Sequence, residues 1–269
     1  MDWNSEILEK SLAGKFFGHR LYYFPETGST NDDAFSLGIA GAPEGTVVIA
    51  DSQNKGKGRM KSVWHSPSGS NIYTSVILRP QIELSKASQI PIAAGVAVGE
   101  TLETYCPNKV RLKWPNDVLI DGKKVCGILA QTKMSSSEIN FVVLGIGINV
   151  NLSREQFPRD IQEIATSLSI QAGREISRLE LIISLYENMA KCYRQLLQIG
   201  FGQIKEKWLK LSPMISQTVQ VIFKDEIIEG RATGLDEDGS LILLAEGNKE
   251  IKVFAGDAMI IRRSYAYSN

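Results

Sequence analysis

The stretch that most constrains this chain is residues 51–64, Asp51-Ser-Gln-Asn-Lys-Gly-Lys-Gly-Arg-Met-Lys-Ser-Val-Trp64. The apolar run Gly45-Thr-Val-Val-Ile-Ala50 just before it reads as a strand. Gly56 and Gly58 then leave the backbone unobstructed, and Lys55, Lys57, Arg59 and Lys61 place four cations within seven residues. A flexible cationic loop leaving a strand end is built to close over an anion, and a phosphate fits best. The stretch matches neither standard phosphate motif. Lys61 stands where the third glycine of the dinucleotide fingerprint would be, and no Gly-Lys-Ser/Thr follows at P-loop spacing. By its own residues it reads equally as an anion site or as a solvated loop.

Composition narrows what surrounds such a loop. The chain has 269 residues, room for one large domain and a small one, and 43% hydrophobic residues can fill a sizeable core. Lys+Arg and Asp+Glu both number 30, which argues against a surface that coats nucleic acid. Cys106, Cys126 and Cys192 are too scattered for a disulfide framework or a zinc site. Two histidines, His19 and His65, leave little room for a metal centre or a Ser-His-Asp triad, so no metal ligands are expected. No apolar run approaches the ~20 residues that cross a bilayer. The opening Met-Asp-Trp-Asn-Ser-Glu lacks signal-peptide character, so a cytoplasmic protein is expected.

Periodicity predicts a short amphipathic helix over 4–14, capped by Asn4 or Ser5, with Ile7, Leu8 and Leu12 on one face. Strands are expected at 20–24, 45–50, 71–78, 109–114, 118–120, 124–131 and 140–149. Helices are expected over 31–40 and 84–105, and over 177–210 with a break near Gly200–Gly202. After Leu211-Ser-Pro213 the chain alternates strand-like runs at 219–223, 227–235, 241–244 and 251–254 with turns at Lys224-Asp225 and Asp236-Glu-Asp-Gly239. That pattern predicts a division at 1–211 and 212–269, the second part a small β-barrel module. The segment before residue 18 is too short for a three-helix DNA-binding domain, so direct sequence-specific DNA binding is not expected.

Further clusters stand out, each with a plain structural alternative. In Arg111-Leu-Lys-Trp-Pro-Asn-Asp117, Pro115 stops a strand and gathers Lys113, Asn116 and Asp117 at its end. A cation, an amide and a carboxylate suit phosphate, ribose or an incoming amine; an ordinary salt bridge explains them too. Lys123 and Lys124 alternate along a strand and should face opposite sides. Gly127, Gly145 and Gly147 interrupt apolar strands, marking a bulge, a close backbone or a flat ligand. Asn149 could donate to a ligand carbonyl. Ser29, Thr30 and Asn31 offer helix N-cap chemistry, compatible with donating to a ligand. Trp64 reads as a core residue or a lid anchor.

Taken together, Gly28-Ser-Thr-Asn31, Gln53, Gly56-Lys-Gly-Arg59, Trp64, Ser66-Pro67, Lys113-Trp-Pro-Asn-Asp117, Lys124, Gly127-Ile-Leu129 and Gly145-Ile-Gly-Ile-Asn149 resemble the biotin protein ligase family in order and spacing, over roughly 18–262. The resemblance implies an α+β fold, with a class II synthetase-like mixed sheet flanked by helices and an SH3-like C-terminal barrel. It implies ATP, with Mg²⁺, and biotin as substrates, biotinyl-5′-AMP as intermediate, and a lysine of a biotin carboxyl carrier domain as acceptor. It assigns Ser29, Thr30, Asn31, Gln53, Lys57, Gly58, Arg59, Lys124 and Gly127 to biotin. It assigns Trp64, Lys113, Asn116, Asp117 and Asn149 to the nucleotide, and catalysis to Lys124, Arg59, Lys57, Lys113 and Asp117. A monofunctional ligase without the DNA-binding domain is implied, and a homodimer stays open. The chain departs at Lys61-Ser62, where many members carry a second Gly-Arg pair, and at Lys57, where many have arginine. A lipoate-type ligase and a non-catalytic nucleotide or biotin sensor are the rival expectations.

Overall fold

A computed structural model describes residues 3–135, 138–223 and 226–261. The helices are α1 (Ser5–Leu12), α2 (Thr30–Ile39), α3 (Gln89–Glu103), α4 (Leu168–Ala172), α5 (Arg178–Gln198) and α6 (Gly202–Leu211). The strands are β1 (Leu21–Thr27), β2 (Val47–Gln53), β3 (Ile72–Leu78), β4 (Val110–Lys113), β5 (Asp117–Ile120), β6 (Lys123–Ser135), β7 (Glu138–Ile148), β8 (Thr218–Phe223), β9 (Glu226–Leu235), β10 (Leu241–Leu244), β11 (Glu250–Val253) and β12 (Asp257–Ile260).

The first seven strands form one mixed sheet, β1-β2-β3-β7-β6-β5-β4. β1 and β2 run parallel and the other neighbours antiparallel. Alternation gives the sheet two different faces. Val47, Ile49, Ile72, Val76, Leu144, Ile146 and Ile148 pack with α3 and α5 in the main core. Val48, Ile77, Phe141 and Val143 face the other way and meet Ala34 of α2. α3 is buried nearly all round, as a helix must be when other elements cover it on several sides. Truncating a leucine in such a core to alanine costs about 2–5 kcal/mol.

The C-terminal strands form a separate antiparallel sheet, β11-β10-β9-β8-β12. Its turn 236–239 plugs into the larger domain. Trp114 Nε1 donates to Gly239 O at 3.2 Å, and the Ser88 and Gln89 side chains donate to the carbonyls of Asp238 and Glu237. Gly239 sits at φ +87°, and a Cβ there would lie 3.0 Å from Ile92 Cδ1, so the turn requires glycine.

Several expectations change in detail. Asn4 caps α1 by accepting from Ile7 N, but Ile7 is 39% exposed and only Leu8 and Leu12 are buried. The pattern over 84–105 resolves into a single turn at Leu84–Lys86 and a helix from Gln89. α4, of five residues, is too short for periodicity to reveal, and β12, Asp257-Ala-Met-Ile260, opens on a charge and carries no clear alternation. The expected turn at Lys224-Asp225 lies outside the described residues.

Candidate active site

The floor of the site is one row of the large sheet. Tyr73, Gly147, Gly127, Asp117 and Lys113 are successive cross-strand partners on β3, β7, β6, β5 and β4. Opposed residues of antiparallel strands share a face, so two glycines form a flat platform with Asp117 and Lys113 at its end. The Trp64 indole covers that platform. A Cβ on Gly147 would lie 2.5 Å from Trp64 Nε1, and one on Gly127 would lie 3.0 Å from Trp64 Cζ3. The close approach expected over these glycines is thus made by a side chain of the chain itself. The indole N–H is buried and meets no acceptor among the described residues.

Lys124 reaches this face through a β-bulge. Cys126 pairs with Val118 but Lys124 pairs with Leu119, leaving Val125 as the extra residue. In a regular strand Lys124 and Gly127 would lie on opposite faces; the bulge turns the lysine in. Its Nζ lies 2.6 Å from Asp117 Oδ1 and 5.5 Å from the centre of the Trp64 ring. The contact is ionic, without hydrogen-bond alignment at Asp117 Oδ1. Lys113 Nζ is 4.0 Å from the same carboxylate, so Asp117 stands between two ammonium groups. Lys123 points away, 3.9 Å from Glu163. Hydrogen bonds from Lys124 N to Ile164 O and from Thr166 N to Lys124 O hold the bulge.

The cationic loop folds over the platform as a narrow turn closed by the Lys57–Val63 bridge. A Cβ on Gly58 would lie 2.3 Å from Ser62 Oγ, so a larger residue there would turn that hydroxyl aside. Met60 and Lys61 occupy the left-handed region at φ +50° and +65°. Lys57 Nζ pairs with Asp32 Oδ1 in the first turn of α2 at 2.6 Å. Arg59 Nη1 donates to Asn116 Oδ1 (3.2 Å), Gly256 O (3.1 Å) and Asp257 Oδ1 (2.9 Å). One guanidinium therefore joins the loop, the Lys113–Asp117 run and the C-terminal sheet. Asn116 is itself fixed by donating to Ile128 O at 2.7 Å.

A polar chain runs from the loop to α2. Ser66 Oγ donates to Trp64 O, Gln53 Nε2 donates to Ser66 Oγ, and Gln53 Oε1 accepts from Thr30 N and Thr30 Oγ1. The α2 terminus departs from the N-cap expectation. Ser29 holds the cap position without a side-chain cap bond, and Gln53 satisfies the first helical N–H from β2. Ser29 and Thr30 are buried to 3% and 4% exposure. Asn31 Nδ2 donates to Leu129 O and Gln131 Oε1, both at 3.3 Å. Asn149 donates to Thr166 O at 3.1 Å, bracing the segment that holds the bulge. Ser66 enters the sequence reading only as part of a motif, and Ser75 and Gln131 are absent from it. Ser75, beside Thr74 inside the strand Ile72–Leu78, was the signal available.

Nothing in the cluster resembles a nucleophile. Burial pushes the Cys126 thiol far up despite nearby Lys124, so it stays protonated. His19 Nδ1 sits 2.9 Å from Phe16 O, outside this cluster. The arrangement instead offers cations from several segments around one carboxylate and an aromatic lid.

Residues 23–149, which hold the platform, loop and bulge, match the Biotin/lipoate A/B protein ligase family, and residues 215–259 match the Biotin protein ligase C terminal domain. Over 247 residues the chain is 38% identical to the bifunctional ligase/repressor BirA of Bacillus subtilis, spanning 91% of this chain and 75% of that protein. The chain belongs to the biotin protein ligase family. It is also 31% identical over 232 residues to the biotin--[acetyl-CoA-carboxylase] ligase of Paracoccus denitrificans, covering 84% of this chain and 94% of that one. The biotin protein ligase of Aquifex aeolicus in complex with biotin and ATP superposes with a TM-score of 0.77 at 29% identity, over 90% of this ligase and 99% of that chain. The C-terminal match reaches Asp257, so the partner of Arg59 belongs to a recognised part of the family fold.

Proposed function

We propose that this ligase condenses biotin with ATP to biotinyl-5′-AMP and passes the biotinyl group to a lysine of a biotin carboxyl carrier domain. The observation that carries the reading is the convergence of Lys113, Lys124 and Asp117 at the end of one glycine platform, with Arg59 held on the neighbouring Asn116, in a member of this family. The first step joins a biotin carboxylate oxygen to the α-phosphorus and expels pyrophosphate. A carboxylate is already ionised at neutral pH, so the step needs relief of anion–anion repulsion rather than a base. Lys124, Lys113 and Arg59 supply that relief, together with Mg²⁺ carried in on the nucleotide. Lys57 adds charge from the α2 side of the loop.

In the second step the amine nitrogen attacks the biotinyl carbonyl carbon and AMP leaves. Asp117, held between two ammonium groups, accepts the amine proton or orients the amine. Ser29, Thr30 and Gln53 form the polar end that suits a ureido ring. Trp64, whose N–H meets no acceptor among the described residues, covers the adenylate side with Asn116. The loop shields the mixed anhydride from water, and Arg59 latches it to the C-terminal sheet. ATP–pyrophosphate exchange supported by biotin and not by lipoate tests the substrate. Biotin transfer to a purified carrier domain tests the acceptor, and its absence would leave a sensor.

A further inference from the structure

Asn31 lies at the centre of a polar cross-link that the ligand chemistry does not require. Ser75 of β3, Gly145 of β7 and Leu129 of β6 are cross-strand neighbours, one step along the sheet from the platform row. The Asn31 side chain lies flat on this second row. Its Nδ2 serves Leu129 O and Gln131 Oε1, and its Oδ1 accepts from Ser75 Oγ at 2.7 Å. A Cβ on Gly145 would lie 1.8 Å from Asn31 Oδ1, so this glycine makes room for the asparagine. Asn31 is 4% exposed and Ser75 fully buried. Ser75 Oγ also stands 2.8 Å from Thr30 Oγ1. Its single proton faces two acceptors, which ties Asn31 and Thr30 into one unit.

We infer that Asn31 and Ser75 are positioning residues that fix the first turn of α2 across β3, β7 and β6, so that Thr30 and Gln53 are aimed correctly, and that Asn31 itself does not touch biotin. The inference rests on the proposed biotin site and narrows it. Both Asn31 donors reach across to β6 and its amide fills the space above Gly145, whereas the bonds of Thr30 run to Gln53, the other proposed biotin residue. Thr30 N–H and Oγ1 both bind Gln53 Oε1, so a tilt of the α2 terminus would disturb two proposed biotin residues at once. A gap of an ångström in such a support is enough to weaken a site.

Biotin binding by titration calorimetry tests this on wild type, Asn31→Ala, Ser75→Ala, Ser75→Cys and the Asn31→Ala/Ser75→Ala pair, with thermal melting as the check on folding. Ser75→Cys keeps the volume and removes a strong donor, which covers the case in which Ser75→Ala fails to fold. Each single variant should weaken biotin about tenfold, and the pair should be no worse than the weaker single within about threefold, because the residues act as one unit. In turnover the biotin KM should rise far more than the ATP KM, a split that general destabilisation does not produce. Normal binding in the Ser75 variants with loss in Asn31→Ala would make Asn31 a direct contact and overturn the inference. Normal binding in all of them would overturn it as well. A wild-type protein that binds no biotin would instead sink the reading of the site itself.

Discussion

Replacing Lys124 with alanine should separate chemistry from folding. The Lys124–Asp117 contact is short, but the lysine side chain is 35% exposed and the aspartate 16%. Water screens a pair of that kind, and its loss removes only about 0.2–1 kcal/mol of stability. In a domain of this size that lowers the melting temperature by about 2–4 °C at most. The bulge should survive, since main-chain bonds to Ile164 and from Thr166 hold residue 124. Catalysis stands differently. A cation fixed where phosphate charge grows in a shielded site contributes about 2.7–4 kcal/mol, or roughly 10²–10³ in rate. Biotin-dependent ATP–pyrophosphate exchange at saturating substrates should therefore fall by about two to three orders of magnitude while melting hardly moves. Exchange within about threefold of wild type would remove Lys124 from the reacting centre. A melting point lowered by tens of degrees would show that the bulge depends on the ammonium group.

Further consequences follow from other contacts. Arg59→Ala cuts the tie to Asn116, Gly256 and Asp257, so activated biotin should escape faster and label lysines of unrelated proteins; release measured by rapid filtration at the wild-type rate would contradict the latch. Arg178 is fully buried against Asp51 at 2.8 Å beneath the Trp3 ring, so Arg178→Met strands a buried carboxylate and should cost about 3–5 kcal/mol in urea unfolding; pairing it with Asp51→Asn should recover much of that loss. Lys61→Gly relieves a left-handed residue and should steady the closed loop, read as slower adenylate release. Burial raises all three thiols, Cys192 to about 11, so Ellman's reagent at pH 8 should find none in the native protein and three after unfolding. Because burial raises the Cys192 thiol above its usual 9.0, its contribution to stability is complete below pH 9 and is lost as pH climbs through 11.

The strands carrying the site were legible because their apolar runs end at glycine, proline or charge, and the loop was legible because four cations crowd two glycines. Lys124 stands out in the sequence by its family position, yet its inward turn depends on a bulge at Val125, and register is invisible in one sequence. Arg59 was expected over a phosphate; its bond to Asp257 joins residues 198 apart in sequence, beyond any local pattern. Ser75 and Gln131 escape the sequence reading because each sits beside a threonine in a strand, and such a polar pair gives no sign of which residue faces the site. Arg178 is not legible in the sequence because a charged residue at a helix start reads as solvated, while in the fold it is fully buried. Asn149 reads in the sequence as a ligand donor, and in the fold its amide donates to Thr166 O.

The most direct measurement is mass spectrometry of the protein after incubation with biotin and MgATP and removal of free ligand under native conditions. A complex carrying one biotinyl-5′-AMP, discharged on adding a carrier domain with one lysine gaining biotin, is the predicted result. A protein that emerges with ATP and biotin unreacted, or with no bound species, would contradict the claim that these converging cations activate and hold an acyl group.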